Sequence, residues 1–286
     1  MAAPLYRKAR FMKKKIHKII TILLTGTFLL SSFMTVRQLA GYRQIEADAT
    51  EAMEIAMSEQ PAMTPSPTAK PMPTAKPEPI STAEPDPLPE EMSYLNDIDL
   101  AALQAENGDI FGWIEIPDTT VSYPLLHGED NDFYLRRNWK KEDSTGGSIF
   151  LETTNSPDMD SFHSILYGHR MRDGSMFGVL KYYTGQEFAD AHPSIWIVLE
   201  DEMRRYDVFS VRETPIDGLT YRLDLEEKSI QDVFLEDCLD CSAIGTSIEP
   251  RPDGHVLTLS TCTGNGHDKR LVVHSILSAS YDRIPK

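Results

Sequence analysis

Hydrophobic and polar positions follow three rhythms along this chain. The first has no alternation: Ile19 to Val36 (IITILLTGTFLLSSFMTV) runs 18 residues without a charge. At roughly 1.5 Å per helical residue it spans about 27 Å, close to the roughly 30 Å hydrocarbon layer of a bilayer. The second rhythm has period two. Eight β-like runs are divided by Gly, Pro and Asp turns: DIFGWIEIP, TTVSYPLLHG, GGSIFLET, HSILYGHR, SIWIVLE, RRYDVFSVRE, HVLTLSTC and KRLVVHSIL. They predict a mainly β fold, a closed or nearly closed eight-stranded barrel. The third rhythm is helical. SIQDVFLEDCLDCSAI, residues 229–244, sets Ile230, Val233, Phe234, Asp237 and Cys241 near one face, which predicts a helix between the sixth and seventh strands. An N-terminal helix of the body is predicted near Asp97–Glu106, stopped by Asn107-Gly108.

Charge and composition divide the chain further. Residues 1–18 carry seven Lys/Arg and no acid, so the formal −16 of the whole becomes −23 without them. An acidic body excludes nucleic acid as a partner, because phosphate binding needs a cationic surface. The basic flank predicts an N-inside, C-outside anchor in a cell membrane. A cleavable signal peptide is the rival, but no convincing small-x-small site follows and the run is long for a signal core. Residues 37–60 have helix-forming composition and read as a stalk. Residues 61–89 hold ten prolines and repeat PTAKP at Pro67–Pro71 and Pro73–Pro77, the composition of an extended, semi-rigid spacer. The predicted organisation is a basic cytoplasmic tail (1–18), a membrane anchor (19–36), a stalk and Pro-rich linker (37–92) and an extracellular folded body (93–286).

Chemistry concentrates where the last two runs meet. In TLSTCTGNGHDKRLVVH, residues 258–274, alternation puts Thr258, Ser260 and Cys262 on one face, and Arg270 and His274 on the matching face of the return arm. A thiol at a strand end beside a guanidinium is biased towards thiolate, and the arginine cannot lose its charge in return. Such a nucleophile needs an acid/base partner, commonly histidine. His169 ends the apolar run ILYGHR, although composition alone does not choose it over His163, His192, His255 or His267.

The TLSTC strand followed eight residues later by Arg270 resembles the active-site hairpin of the sortases, membrane-anchored cysteine transpeptidases of Gram-positive bacteria. LYGHRMRDGSMFGVLKYY, residues 166–183, resembles the histidine motif of their class B, as do GWIEIP, GEDNDFYL, GGSIF and the helix before TLSTC. The likeness covers about residues 93–286 and leaves the spacer out. It implies Cys262 as nucleophile, His169 as acid/base and Arg270 as the group holding the substrate carbonyl or its oxyanion. Asn131, Leu135, Tyr167 and Ser260 match positions that line the class B substrate groove. As plain strand or core residues, Ser260 would bond a neighbouring backbone group, Leu135 would sit in the core and Tyr167 would pack with its hydroxyl satisfied.

The implied reaction cleaves a C-terminal sorting signal after Thr through a Cys thioacyl intermediate. It then passes the substrate protein to an amine of a lipid-linked peptidoglycan precursor. No cofactor or metal is implied. Ordinary thiol and imidazole pKa values, about 8.5 and 6.5, leave only part of such an enzyme as the thiolate–imidazolium pair, which predicts slow turnover. Pilin polymerisation, a secreted cysteine hydrolase and an inactive membrane-anchored binding module are the alternatives. Of the other signals, Cys238-x-x-Cys241 reads as structural or an incidental disulfide, Asp268 as a turn residue and His274 as a hydrogen-bonded strand histidine.

Overall fold

A computed structural model describes residues 3–58, 87–262 and 268–283, apart from the side chains of residues 3–16, Ile19 and Cys262. The Pro-rich stretch therefore lies almost wholly outside the described residues, and residues 263–267, with His267, lie entirely outside them. Residues 1–44 and 45–286 form two units. The first is the greater part of helix α1 (Ala3–Ala56). Among the described residues this is the one helix long and apolar enough to cross a bilayer.

All eight predicted strands form: β1 (Ile110–Glu115), β2 (Ser122–Leu126), β3 (Ile149–Leu151), β4 (His163–His169), β5 (Ser194–Val198), β6 (Glu202–Pro215), β7 (Val256–Cys262) and β8 (Lys269–Asp282). They close into a barrel in the order β1-β2-β3-β4-β7-β8-β6-β5. Two contacts, β2–β3 and β4–β7, are parallel and the others antiparallel. Trp113, Leu126, Phe150 and Val198 share one buried apolar cluster with Leu95, Leu100 and Leu103 of the segments packed against the barrel.

Short helices decorate the barrel. Helix α2 (Leu100–Glu106) starts on Asp99, whose carboxylate accepts the Ala102 N–H at 2.9 Å, as an N-cap should. A six-residue helix α3 (Gln186–Ala191) precedes β5.

Residues 45–56 of α1 depart from the expected stalk. Ile45, Ala52 and Ala56 are fully buried against the body. Asp48 O accepts the Trp139 indole N–H at 2.9 Å, and Ala56 O accepts Asp99 N–H at 2.7 Å. Ala52 and Ala56 share one apolar cluster with Met92, Leu95 and Ile98. The described residues on both sides of the Pro-rich stretch thus contribute to the same apolar cluster. The sequence hid this because a helix with two buried alanines and one isoleucine has a weak apolar stripe.

Helix α4 (Lys228–Asp240) lies between β6 and β7 as predicted, but rotated from the expected face. Gln231, Phe234, Leu235 and Cys238 are buried, whereas Val233 and Cys241 are exposed. The bulk of Phe234 and Leu235 decides the rotation, and Arg212 of β6 pairs with Asp237 at 2.7 Å at the edge of the contact. Cys238 and Cys241 are free thiols, and burial pushes the Cys238 thiol up to about 12.

The polar face of the β7–β8 hairpin is consequently not open to solvent along its length. Thr258 and His274 are fully buried beneath α4 with His163, whose ring lies 4.8 Å from that of Phe234. His163 Nδ1–H donates to Arg222 O (3.3 Å), so its Nε2 accepts from the Thr258 hydroxyl (2.7 Å). That hydroxyl has one proton, so His274 Nδ1–H must donate to it (2.8 Å). The order requires a neutral His163 ring, and burial lowers His163 to about 4 and His274 well below its usual value.

Two outcomes follow from this packing. Unfolding releases His163 to an ordinary value near 6.5, so the unfolded state binds the extra proton between pH 6.5 and 4. Stability should therefore fall by about 3 kcal/mol for this residue as pH drops through that window. Urea unfolding of wild type and His163→Gln at pH 7 and pH 5 should show the smaller loss in the variant; equal losses would contradict the assignment. Ile45→Ala should cost about 2–4 kcal/mol of stability in the same measurement, the usual loss for emptying a buried aliphatic site.

Candidate active site

Parallel pairing solves the problem of bringing together two residues 93 positions apart. β4 and β7 start in register at His163↔Val256 and finish in register at His169↔Cys262. Parallel strands end at the same edge of the sheet, and neighbours lie about 4.8 Å apart. Across β7–β8 the register runs Val256↔Ile276, Thr258↔His274 and Ser260↔Val272. Continued by two residues it sets position 262 opposite position 270. The outer face of these three strands is a ladder of four rungs: His163/Val256/Ile276, Ile165/Thr258/His274, Tyr167/Ser260/Val272 and His169/Cys262/Arg270. The lower two rungs lie under α4. The third forms the floor of a cleft, and the fourth is its end.

The cleft holds about 220 Å³ and is lined by Asn131, Leu135, Phe150, Tyr167, Ile216, Tyr221, Ser260 and Arg270. All four residues expected in a groove are therefore brought together with Arg270. Two other concavities offer less chemistry. A void of about 20 Å³ beneath Asp48 and Ala49 is mostly apolar. A hollow of about 470 Å³ around Asp158, Asp160 and residues 200–202 is acidic, and its Arg204 is paired with Asp160 and Glu202.

His169 is held by a backbone acceptor. Its Nε2 lies 2.7 Å from Leu135 O; a carbonyl only accepts, so Nε2 carries a hydrogen and Nδ1 is the nitrogen able to exchange a proton. Leu135 closes a 3-10 turn, Phe133–Leu135, started by Asp130, whose carboxylate accepts the N–H groups of Asp132 and Phe133 (2.9 and 2.7 Å). These bonds hold the Asp130 carboxyl below its usual range. Gly147 supports the turn from below. Its φ is +58°, and a Cβ there would meet the carbonyl oxygens of Tyr134 and Leu135 at 2.6 and 2.7 Å, so only glycine fits. Gly168 similarly lets Phe177 approach within 2.7 Å of where a Cβ would stand, beside His169.

The other expected residues have defined partners. Arg270 pairs across the sheet with Thr214, and its Nη1 donates to Lys269 O at 3.2 Å. Among the described residues Ser260 is bonded through its hydroxyl to the Tyr221 hydroxyl at 2.9 Å. Leu135 both lines the cleft and packs on the core. Asn131 and Tyr167 both donate to Glu152, at 2.8 and 2.9 Å.

The histidines not chosen lie elsewhere. His192 bonds Pro117 O and His255 bonds Ser161 O, while His163 is in the buried layer. Asp268 is an exposed turn residue whose carbonyl accepts Ile216 N–H at 3.1 Å.

Sequence reasoning missed Phe150, Glu152, Ile216 and Tyr221. Phe150 and Glu152 carried a faint signal, an alternating pair at the end of an apolar run. Ile216 and Tyr221 lie in the β6–α4 connection, where no periodicity marks them.

A family model described as the Sortase domain matches residues 114–278. Sortase B of Listeria monocytogenes is 34% identical over 183 residues, 63% of this chain and 74% of that protein. In three dimensions, a sortase B–substrate complex from Staphylococcus aureus superposes with a TM-score of 0.61 at 31% identity, covering 63% of this chain and 84% of that one. A complex of B. anthracis sortase B gives 0.58 at 38% identity, covering 62% and 83%. Matched over more than half its length by the family model, and sharing the barrel of these relatives, the chain belongs to the sortase family and, within it, to class B.

Proposed function

We propose that this cysteine transpeptidase cleaves a C-terminal sorting signal after a Thr residue, carries the substrate as a thioester on Cys262 and transfers it to a peptidoglycan amine. The observation that carries the reading is the register His169↔Cys262 at the end of a cleft lined by Arg270. That a similar S. aureus sortase B forms a substrate complex supports assigning the cleft to the sorting signal, with Asn131, Leu135, Tyr167 and Ser260 as its walls.

In the first half-reaction the Cys262 thiolate adds to the Thr carbonyl carbon. The guanidinium of Arg270 stabilises the oxyanion, an interaction of a type worth about 3–4 kcal/mol per donor. The C–N bond then breaks, and imidazolium His169 gives its Nδ1 proton to the departing amine. In the second half, the acceptor amine attacks the thioester, His169 takes up its proton, and the thiolate leaves. His169 is suited to both steps because the Leu135 carbonyl keeps the other nitrogen protonated throughout. Apolar α1 anchors the enzyme in the membrane, N-terminus inside, so that the lipid-linked acceptor is within reach of an extracellular active site.

Cys262→Ala and His169→Ala should each abolish thioacyl formation on quenched-fluorescent peptides containing an internal Pro and a Thr-Gly or Thr-Asn bond, followed by mass spectrometry. Wild-type cleavage by either variant would refute the assignment. Arg270→Lys should lose about 10²–10³-fold in kcat, since an ammonium lacks the planar donor fork. Adding an oligoglycine or diaminopimelyl amine should divert product from acid to amide; acid alone, at every amine concentration, would identify a hydrolase instead.

A further inference from the structure

The cleft wall owes its hydrogen-bonding polarity to a carboxylate outside the reacting set. Glu152 follows β3 directly and is 9% exposed. It shares a strand face with Phe150, whose register partner is Tyr167. Both of its oxygens lie 2.8 Å from Asn131 Nδ2, and Oε2 accepts the Tyr167 hydroxyl at 2.9 Å. Asn131 is fixed from its other side as well, because its Oδ1 accepts Thr153 N–H at 2.9 Å. Adjacent bonds staple the same loop: Thr153 Oγ1 donates to Gly128 O at 3.3 Å, and His127 Nε2–H to Thr153 O at 3.2 Å. The 3-10 turn carrying the Leu135 carbonyl, and through it His169, follows directly.

We infer that Glu152 is a positioning residue for transpeptidation, holding Asn131 and Tyr167 so that the wall meets an extended substrate with fixed donor and acceptor sites. The inference rests on the proposed reading of the cleft as the sorting-signal site. An ionised carboxylate only accepts, so Asn131 must turn its amide nitrogen to it, and Tyr167 must commit its single hydroxyl proton. The phenol oxygen then has only acceptor capacity for any other partner, which suits the N–H groups of a peptide backbone. A glutamine at 152 is nearly isosteric but inverts this logic. Its carbonyl can still take Asn131, but its NH₂ then faces the Tyr167 oxygen, and the hydroxyl proton is released as a donor.

The test compares Glu152→Gln, Tyr167→Phe, Asn131→Ala and both double variants that include Glu152→Gln, on the same peptides. Glu152→Gln should lower kcat/KM about 10–100-fold, the scale of a displaced binding group, chiefly through KM. Its melting temperature, and the rate at which iodoacetamide alkylates Cys262 (read on the Cys262 peptide by mass spectrometry), should stay near wild type. In the Tyr167→Phe background the same change should cost several-fold less, because the proton it misdirects is gone; coupling of this kind marks residues acting as one unit. An active wild type with Glu152→Gln unaltered, or with the same fold-loss in both the Tyr167→Phe and Asn131→Ala backgrounds, would overturn the inference alone. A wild type inert towards every peptide would remove the functional reading, and this inference with it.

Discussion

The parallel contact between β4 and β7 is the constraint on which the site depends. Two strands that run the same way and start in register also end in register, and here they end on His169 and Cys262, the pair proposed to react. β8 returns antiparallel along the other edge of β7 and adds the guanidinium side of the rung. Side-chain direction in a strand has period two, so a slip of one residue in any of the three would turn its contribution towards the barrel interior. The register is protected by what lies on the opposite face. Leu257, Leu259, Leu271 and Val273 are buried, and a slip would exchange them for hydroxyls, a thiol and a cation.

A second constraint acts through the loop facing this rung. Ile45 packs on Gly146, Gly147 lies under the carbonyls of Tyr134 and Leu135, and the Leu135 carbonyl holds His169. The Trp139 indole and the Asn138 amide fasten the same region to Asp48. Burial is the largest influence on that carboxyl and raises its pKa, with the Asn138 bond opposing it. A chain of direct contacts thus runs from the end of α1 to the histidine ring. Each link is a close fit or a directional bond, so the imidazole is oriented by packed backbone and not by a mobile side chain.

Much of the fold was legible because its signals are local. All eight strands were visible as alternating runs, and α4 as a helical insertion. Cys262 and Arg270 stood out because their residue types are unusual at strand ends, whereas the 166–183 motif was legible only through its resemblance to the class B histidine motif. What the sequence did not reveal was nonlocal. The buried face of α4 depends on which side chains fit over β6–β8, and the docking of residues 45–56 depends on alanines whose value lies in close approach. Tyr221 reaches Ser260 from a connection without periodicity. Nothing in one strand announces the helix that covers the polar face of the hairpin.

That covering gives the outer face of β7 a graded character along a single strand. Thr258, two residues from Ser260 and four from Cys262, sits in a dry layer between two neutral histidines, where its hydroxyl is fully committed. Ser260 lines the cleft, although its own exposure is only 1%. Cys262 then ends the strand. Polar side chains at alternate positions would ordinarily mark a solvated strand face. Here α4 and the β6–α4 connection cover the first of them, Tyr221 caps the second, and the last is the proposed nucleophile. The buried layer of Thr258, His163 and His274 begins four residues back along β7 from the rung proposed to react. The helix between β6 and β7 therefore contributes to the site without supplying a reacting residue, by deciding how far along β7 water is allowed to reach.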